Sequence, residues 1–160
     1  MLVTRVGGFV CALPIAHVVE TLRPLPVEPI SSASDGALAP VDGVAMIRGA
    51  AVPVVDARRL LGIPGAAVTR FVVVRAAERR VALAVDAVLD VRRIEADALT
   101  SLPPLLRGAQ RELVSAIGAL DNELLIVLDS ARVLPDDSWR RIDEHSEVTG
   151  SGIDERSGAS

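Results

Sequence analysis

Ala12-Leu13-Pro14-Ile15-Ala16-His17-Val18-Val19-Glu20 has a counterpart seventy residues on, in Ala82-Leu83-Ala84-Val85-Asp86-Ala87-Val88-Leu89-Asp90. Val54-Val55-Asp56-Ala57-Arg58-Arg59-Leu60-Leu61 has another, seventy-three residues on, in Val127-Leu128-Asp129-Ser130-Ala131-Arg132-Val133-Leu134. Nearly equal offsets in the same order imply a duplicated unit of about seventy residues, larger than a solenoid repeat. The expected organisation is one domain over 1–145 with halves at about 1–68 and 69–135. The Gly/Ser-rich 146–160 is expected to be a disordered tail.

Working outward, each half reads as short strands. Leu2 to Val6 and Phe9 to Leu13 flank Gly7-Gly8, a dipeptide that supplies the positive φ angles of a hairpin turn. Gly43 to Ile47 and Ala50 to Val55 flank Arg48-Gly49. Asp56 follows, placed to cap a helical turn that carries Leu60 and Leu61 and that Gly62-Ile63-Pro64-Gly65 stops. Phe71 to Val74 with Val81 to Val85, and Leu113 to Leu120 with Leu124 to Leu128, predict two more hairpins. Ile15, Val18, Val19 and Leu22 fall at i, i+3, i+4 and i+7 and predict a short helix ended by Pro24 and Pro26. Ser31 to Ala39 reads as a loop, and Asp129-Ser130 opens a final helical stretch reaching Glu144. Short antiparallel strands lose their exposed edges by closure, so two small barrels side by side are expected, with a groove between them for a ligand or partner.

Composition removes several function classes. Seventeen basic against 21 acidic residues give a net charge of −4, which disfavours a protein that neutralises phosphates. Aromatics are 2%, so no stacking platform for single-stranded bases is expected. Every basic residue is Arg, which excludes P-loop lysines and Schiff-base chemistry. A lone Cys11 cannot close an intrachain disulfide, and no apolar run has the length of a membrane span. A cytoplasmic chain without membrane insertion is the expectation.

No catalytic constellation stands out. His17 and His145 are far apart in sequence, so no metal site is expected, and Cys11 reads as a small core residue. Asp86 and Asp90 read as solvated caps, and the Arg pairs at 58-59, 79-80, 92-93 and 140-141 as solvated surface. Arg48 differs, because a long side chain at a hairpin tip is not needed for folding, and Arg is enriched at interface hot spots.

The stretch Gly43-Val44-Ala45-Met46-Ile47-Arg48-Gly49-Ala50-Ala51-Val52-Pro53-Val54-Val55-Asp56 resembles the signature of the CheW-like adaptor domain of bacterial chemotaxis. Ala12 to Ile15 with Val18 and Glu20, then Val81 to Val91, Ile117 to Leu120 and Leu124 to Asp129, are similar to the family in the same order, over Leu2 to Ile142. The resemblance implies a mostly β fold of two intertwined five-stranded β-barrels of SH3/OB-like kind, with short helices and a C-terminal helix. It implies no catalysis and no cofactor. It also implies two partners: the regulatory barrel domain of a chemotaxis-type histidine kinase and the cytoplasmic tip of a chemoreceptor, with recruitment to membrane receptor arrays. Val18, Glu20, Gly43 and Arg48 match family positions implicated in receptor contact, with Val85 and Val88 along the groove.

The chain departs from the family at Met46, where Asn is usual, and at Ala57, where Leu is usual. Its Ser31 to Ala39 loop is long. Met46 is kept in the partner-binding set, beside the tip. Other readings are a diverged scaffold for another sensory, pilus or developmental array, and an oligonucleotide-binding barrel pair.

Overall fold

In the computed structural model the described residues are 1–30, 41–63, 68–101, 113–134, 138–140 and 142–144. The expected Ser31 to Ala39 loop and the 146–160 tail lie outside them. The strands are β1 (Leu2–Val6), β2 (Phe9–Leu13), β3 (Val18–Leu22), β4 (Val41–Ile47), β5 (Ala50–Asp56) and β6 (Arg70–Ala76). They continue with β7 (Arg79–Val85), β8 (Ala87–Val91), β9 (Leu99–Thr100), β10 (Val114–Leu120) and β11 (Glu123–Leu128). One helix, α1 (Ala57–Leu61), follows β5, and 3-10 turns occupy Ile15–His17, Ala96–Ala98 and Ser130–Arg132. Residues 138–140 and 142–144 are helical.

The strands form two mixed sheets, ordered β8-β1-β2-β11-β10-β9 and β3-β6-β7-β5-β4. Each takes a hairpin from one half of the chain and its other strands from the other half. Reading β8, β1, β2, β11, β10 against β3, β6, β7, β5, β4 gives the same path twice. The parallel contacts keep this equivalence, Ala12 opposite Val127 in one sheet and Ala82 opposite Val54 in the other. These are the residues that the offsets of seventy and seventy-three relate.

The ladders do not close into barrels among the described residues, because no strand pairing joins β3 to β4 or β8 to β9. The five-stranded sheet is nevertheless bent. Beyond β3, Glu28 pairs with Val44 on the free edge of β4 through bonds of 2.8 and 2.9 Å. A flat sheet would put Glu28 five spacings, about 24 Å, from β3, whereas the six steps from Leu22 reach at most about 22 Å. In the other sheet the segment after β8 returns in the same way, as β9 against β10.

Both faces of the central strands are buried. Val72, Val74, Val81, Leu83, Cys11 and Leu13 pack between the sheets. Phe71, Val73, Ala82 and Ala84 fill the inside of the five-stranded sheet, and Val3, Val10, Ala12, Leu125 and Val127 the inside of the other. Two-sided burial explains the nearly continuous apolar runs.

One element differs from the sequence expectation: Val18 to Leu22 is a strand, not a helix. Val18 pairs with Val74 and Glu20 with Val73, so Val19 is the extra residue of a β-bulge. Val18 packs on the central core and Val19 inside the five-stranded sheet. The bulge breaks the period of two and leaves apolar spacings that imitate a helix. The Asp56 cap does form, accepting from the Arg58 N–H at 2.9 Å, with Gly62 left-handed at the C-terminus (φ 66°). Asp129 repeats it over the third 3-10 segment, accepting from the Ala131 N–H at 3.1 Å.

Candidate functional site

The β4–β5 turn has both central residues at positive φ, Arg48 at 50° and Gly49 at 77°, the geometry of a two-residue turn that suits the twist of its strands. Glycine fits there; arginine carries a backbone penalty of about 1 kcal/mol or more. The equivalent β10–β11 turn uses Asp121 and Asn122, residue types that tolerate this conformation. Arg48 is therefore held at the tip against local preference, and its side chain is 75% exposed.

Arg48 reaches across the mouth of the bent sheet to Glu20 on β3. Its Nε donates to Oε1 at 3.0 Å and its Nη2 to Oε2 at 2.9 Å. β3 and β4 are opposite end strands, so the pair ties the two ends of the sheet together. The hydrogen bond from Arg48 holds the Glu20 carboxyl below its ordinary range and pushes the guanidinium up. The result is a planar, charged group fixed in orientation while most of its surface faces solvent, suited to directional contact with another protein.

The remaining expected site residues are not all on one surface. Val18 and Val88 are half-buried, each packed on the central core. Met46 is 63% exposed on β4. Val85 is 1% exposed, so burial takes its side chain off the surface altogether. Gly43 has a backbone reason: a Cβ there would lie 2.1 Å from the Glu28 carbonyl oxygen, where the returning segment crosses β4. Gly118 stands at the matching crossing, where a Cβ would lie 2.7 Å from the Ala98 carbonyl oxygen.

Other groups take roles the sequence reading did not give them. Asp86 is not a solvated cap: its Oδ2 accepts from the Gly7 N–H at 3.0 Å, and its buried Oδ1 faces Arg58 Nε at 3.8 Å. Arg58 is itself mostly buried against Asp56 rather than solvated. Arg79 lies 4.9 Å from the Trp139 ring and pairs with Asp143 at 2.8 Å. His17 is exposed, its Nδ1 3.0 Å from the Ser130 hydroxyl. Cys11 is fully buried, and burial pushes its thiol up to about 12. Among the described residues no three His, Cys, Asp or Glu side chains gather as a ligand set, and no helix is long and apolar enough to cross a membrane.

Comparison with known proteins fits this geometry. A chemotaxis protein CheW from Klebsiella aerogenes is 27% identical over 106 residues, which is 64% of this chain and 64% of that protein's length. The crystal structure of the scaffolding protein TtCheW from Thermoanaerobacter tengcongensis shares the fold with a TM-score of 0.68 at 22% identity. That match covers 80% of this chain and 86% of that one. The family model described as the CheW-like domain matches residues 1–138, nearly all of the described structure, and the chain belongs to the CheW-like domain family.

Proposed function

We propose that this chain is a non-enzymatic scaffold in chemotaxis signalling, coupling a chemoreceptor to a chemotaxis-type histidine kinase in the cytoplasm. In this reading two barrel-like units, built by halves that arose from one duplication and exchange hairpins, present separate surfaces to the two partners. The receptor docks at the mouth of the five-stranded sheet, on Arg48 as oriented by Glu20, with Val18 and Met46 beside it. The observation that carries the reading is Arg48 itself, kept at a turn position that disfavours it and presented to solvent by a two-point ion pair. Family membership supports the scaffold role. One such contact is weak, and an array of linked copies would raise the affinity through avidity.

The test is co-purification of receptor and kinase from the native host. Arg48→Glu should abolish receptor capture, keep kinase capture, and leave the melting temperature nearly unchanged. Receptor capture at normal strength would remove Arg48 from the site. Loss of both partners without unfolding would remove the two-surface reading.

A further inference from the structure

Arg75 on β6 and Arg80 on β7 stand directly opposite each other in register, and both are exposed. Like charges so placed disfavour the sheet. Their strands alternate through Phe71, Val73, Ala82 and Ala84, which face the inside of the five-stranded sheet, so both arginines lie on that side, at its mouth. Arg80 is near enough to Glu20 to help hold that carboxyl low. Arg48 already occupies both Glu20 oxygens, so Arg80 stands beside a carboxylate that is engaged, with Arg75 opposite Arg80 across the hairpin. Glu78, in the intervening turn, lines a different cavity, beside Trp139.

The matching mouth of the other sheet shows what is missing. There Arg5, the counterpart of Arg75, is neutralised by Glu123 through bonds of 3.3 and 3.2 Å. Arg92 is neutralised by Asp121, and the counterpart of Arg80 is the uncharged Val10. Seventy-three residues before Glu123 stands Ala50, so Arg75 has no such acid, and neither Arg75 nor Arg80 has an ion-pair partner among the described residues.

We propose that Arg75 and Arg80 extend the Glu20–Arg48 site into a basic patch whose counter-ions are supplied by an acidic segment of the docked protein. This deepens the adaptor reading and rests on it for the choice of a protein partner. The chain's net charge of −4 opposes a long polyanion, whereas a short acidic segment needs only the local excess.

The probe is a synthetic helical peptide with glutamates along its polar face, titrated calorimetrically into the full chain. A lysine version of the peptide and a single-stranded oligonucleotide serve as controls. The acidic peptide should bind, and more weakly as salt rises. Arg75→Gln with Arg80→Gln should weaken it at least about tenfold. Ala50→Glu, which restores the missing acid, should weaken it too, and neither control should bind comparably.

Equal binding to wild type and both variants, no binding to wild type, or tighter binding of the oligonucleotide would each overturn the proposal. So would self-association that Arg75→Gln with Arg80→Gln abolishes, because the patch would then belong to a second copy. Failure of the unaltered chain to capture both receptor and kinase, with the peptide behaving as expected, would sink the adaptor reading and leave the patch standing.

Discussion

Glu20 and Arg48 show how one ion pair can serve presentation more than stability. Arg48 is solvent-facing and Glu20 half-buried, so their attraction is largely screened and adds little to folding. What it does is restrict a long side chain on a strained turn. The Glu20 pKa in the folded chain lies below the ordinary value of 4.5, so its contribution is fully present above that value and is lost as pH falls through the folded pKa. A carbon-detected NMR titration should find Glu20 titrating below 4.5, and Arg48→Ala should return it toward 4.5. Cys11 runs the other way. With its folded pKa raised from 9.0 to about 12, stability is intact below pH 9 and declines as pH rises toward 12, because the unfolded thiol ionises first. In the native state at neutral pH, thiol reagents should label it only at the rate of global opening; rapid labelling would contradict its burial.

At the scale of elements, the matched strands carry matched devices. β3 bulges at Val19 and β8 at Leu89, one repeat apart, and each bulge bends an end strand toward the opposite hairpin tip. Gly43 and Gly118 both make room for a crossing backbone. Gly43→Ala should cost about 2–4 kcal/mol in urea unfolding, since the Glu28–Val44 bridge must part. Gly118→Ala should cost less, and Gly8→Ala, with nothing within 4 Å, almost nothing. Equal effects at the three would refute the crossing argument. Arg80→Thr should raise stability by about 0.2–1 kcal/mol by removing the like-charge opposition to Arg75. The stability gained and the peptide affinity lost would then be two readings of one substitution site.

On the scale of the whole molecule, Asp86 is the joint. It follows β7 of one sheet, precedes β8 of the other, accepts from Gly7 in the β1–β2 turn, and faces Arg58 at the start of α1. Asp86→Ala leaves the Gly7 N–H without an acceptor and the mostly buried Arg58 with Asp56 alone, at a cost of about 1–3 kcal/mol. A double-mutant cycle with Arg58→Ala should show coupling of about 0.5 kcal/mol or more; strict additivity would mean that the two do not act together.

The hairpins were legible in the sequence because β-branched runs and positive-φ turn residues are local signals, and the repeat pointed to equivalent strands. Arg48 was legible as a tip residue for the same reason. β3 was not, because its bulge and its place between two cores produce a helix-like spacing. The roles of Asp86, Gly43 and Val85 were also hidden, since each depends on a segment distant in sequence. Comparing the halves position by position would have exposed Arg80 against Val10 and Ala50 against Glu123.

The sequence by itself determined the hairpin strands, their turns, the helix cap at Asp56 and the family, all written in short-range pattern. Only the tertiary structure decided that each half lends a hairpin to the other's sheet, that Glu20 meets Arg48 across a bent sheet, and that Arg75 and Arg80 share one mouth. Those facts are set by long-range packing on both faces of the strands, and a linear pattern encodes which residues are buried but not against what.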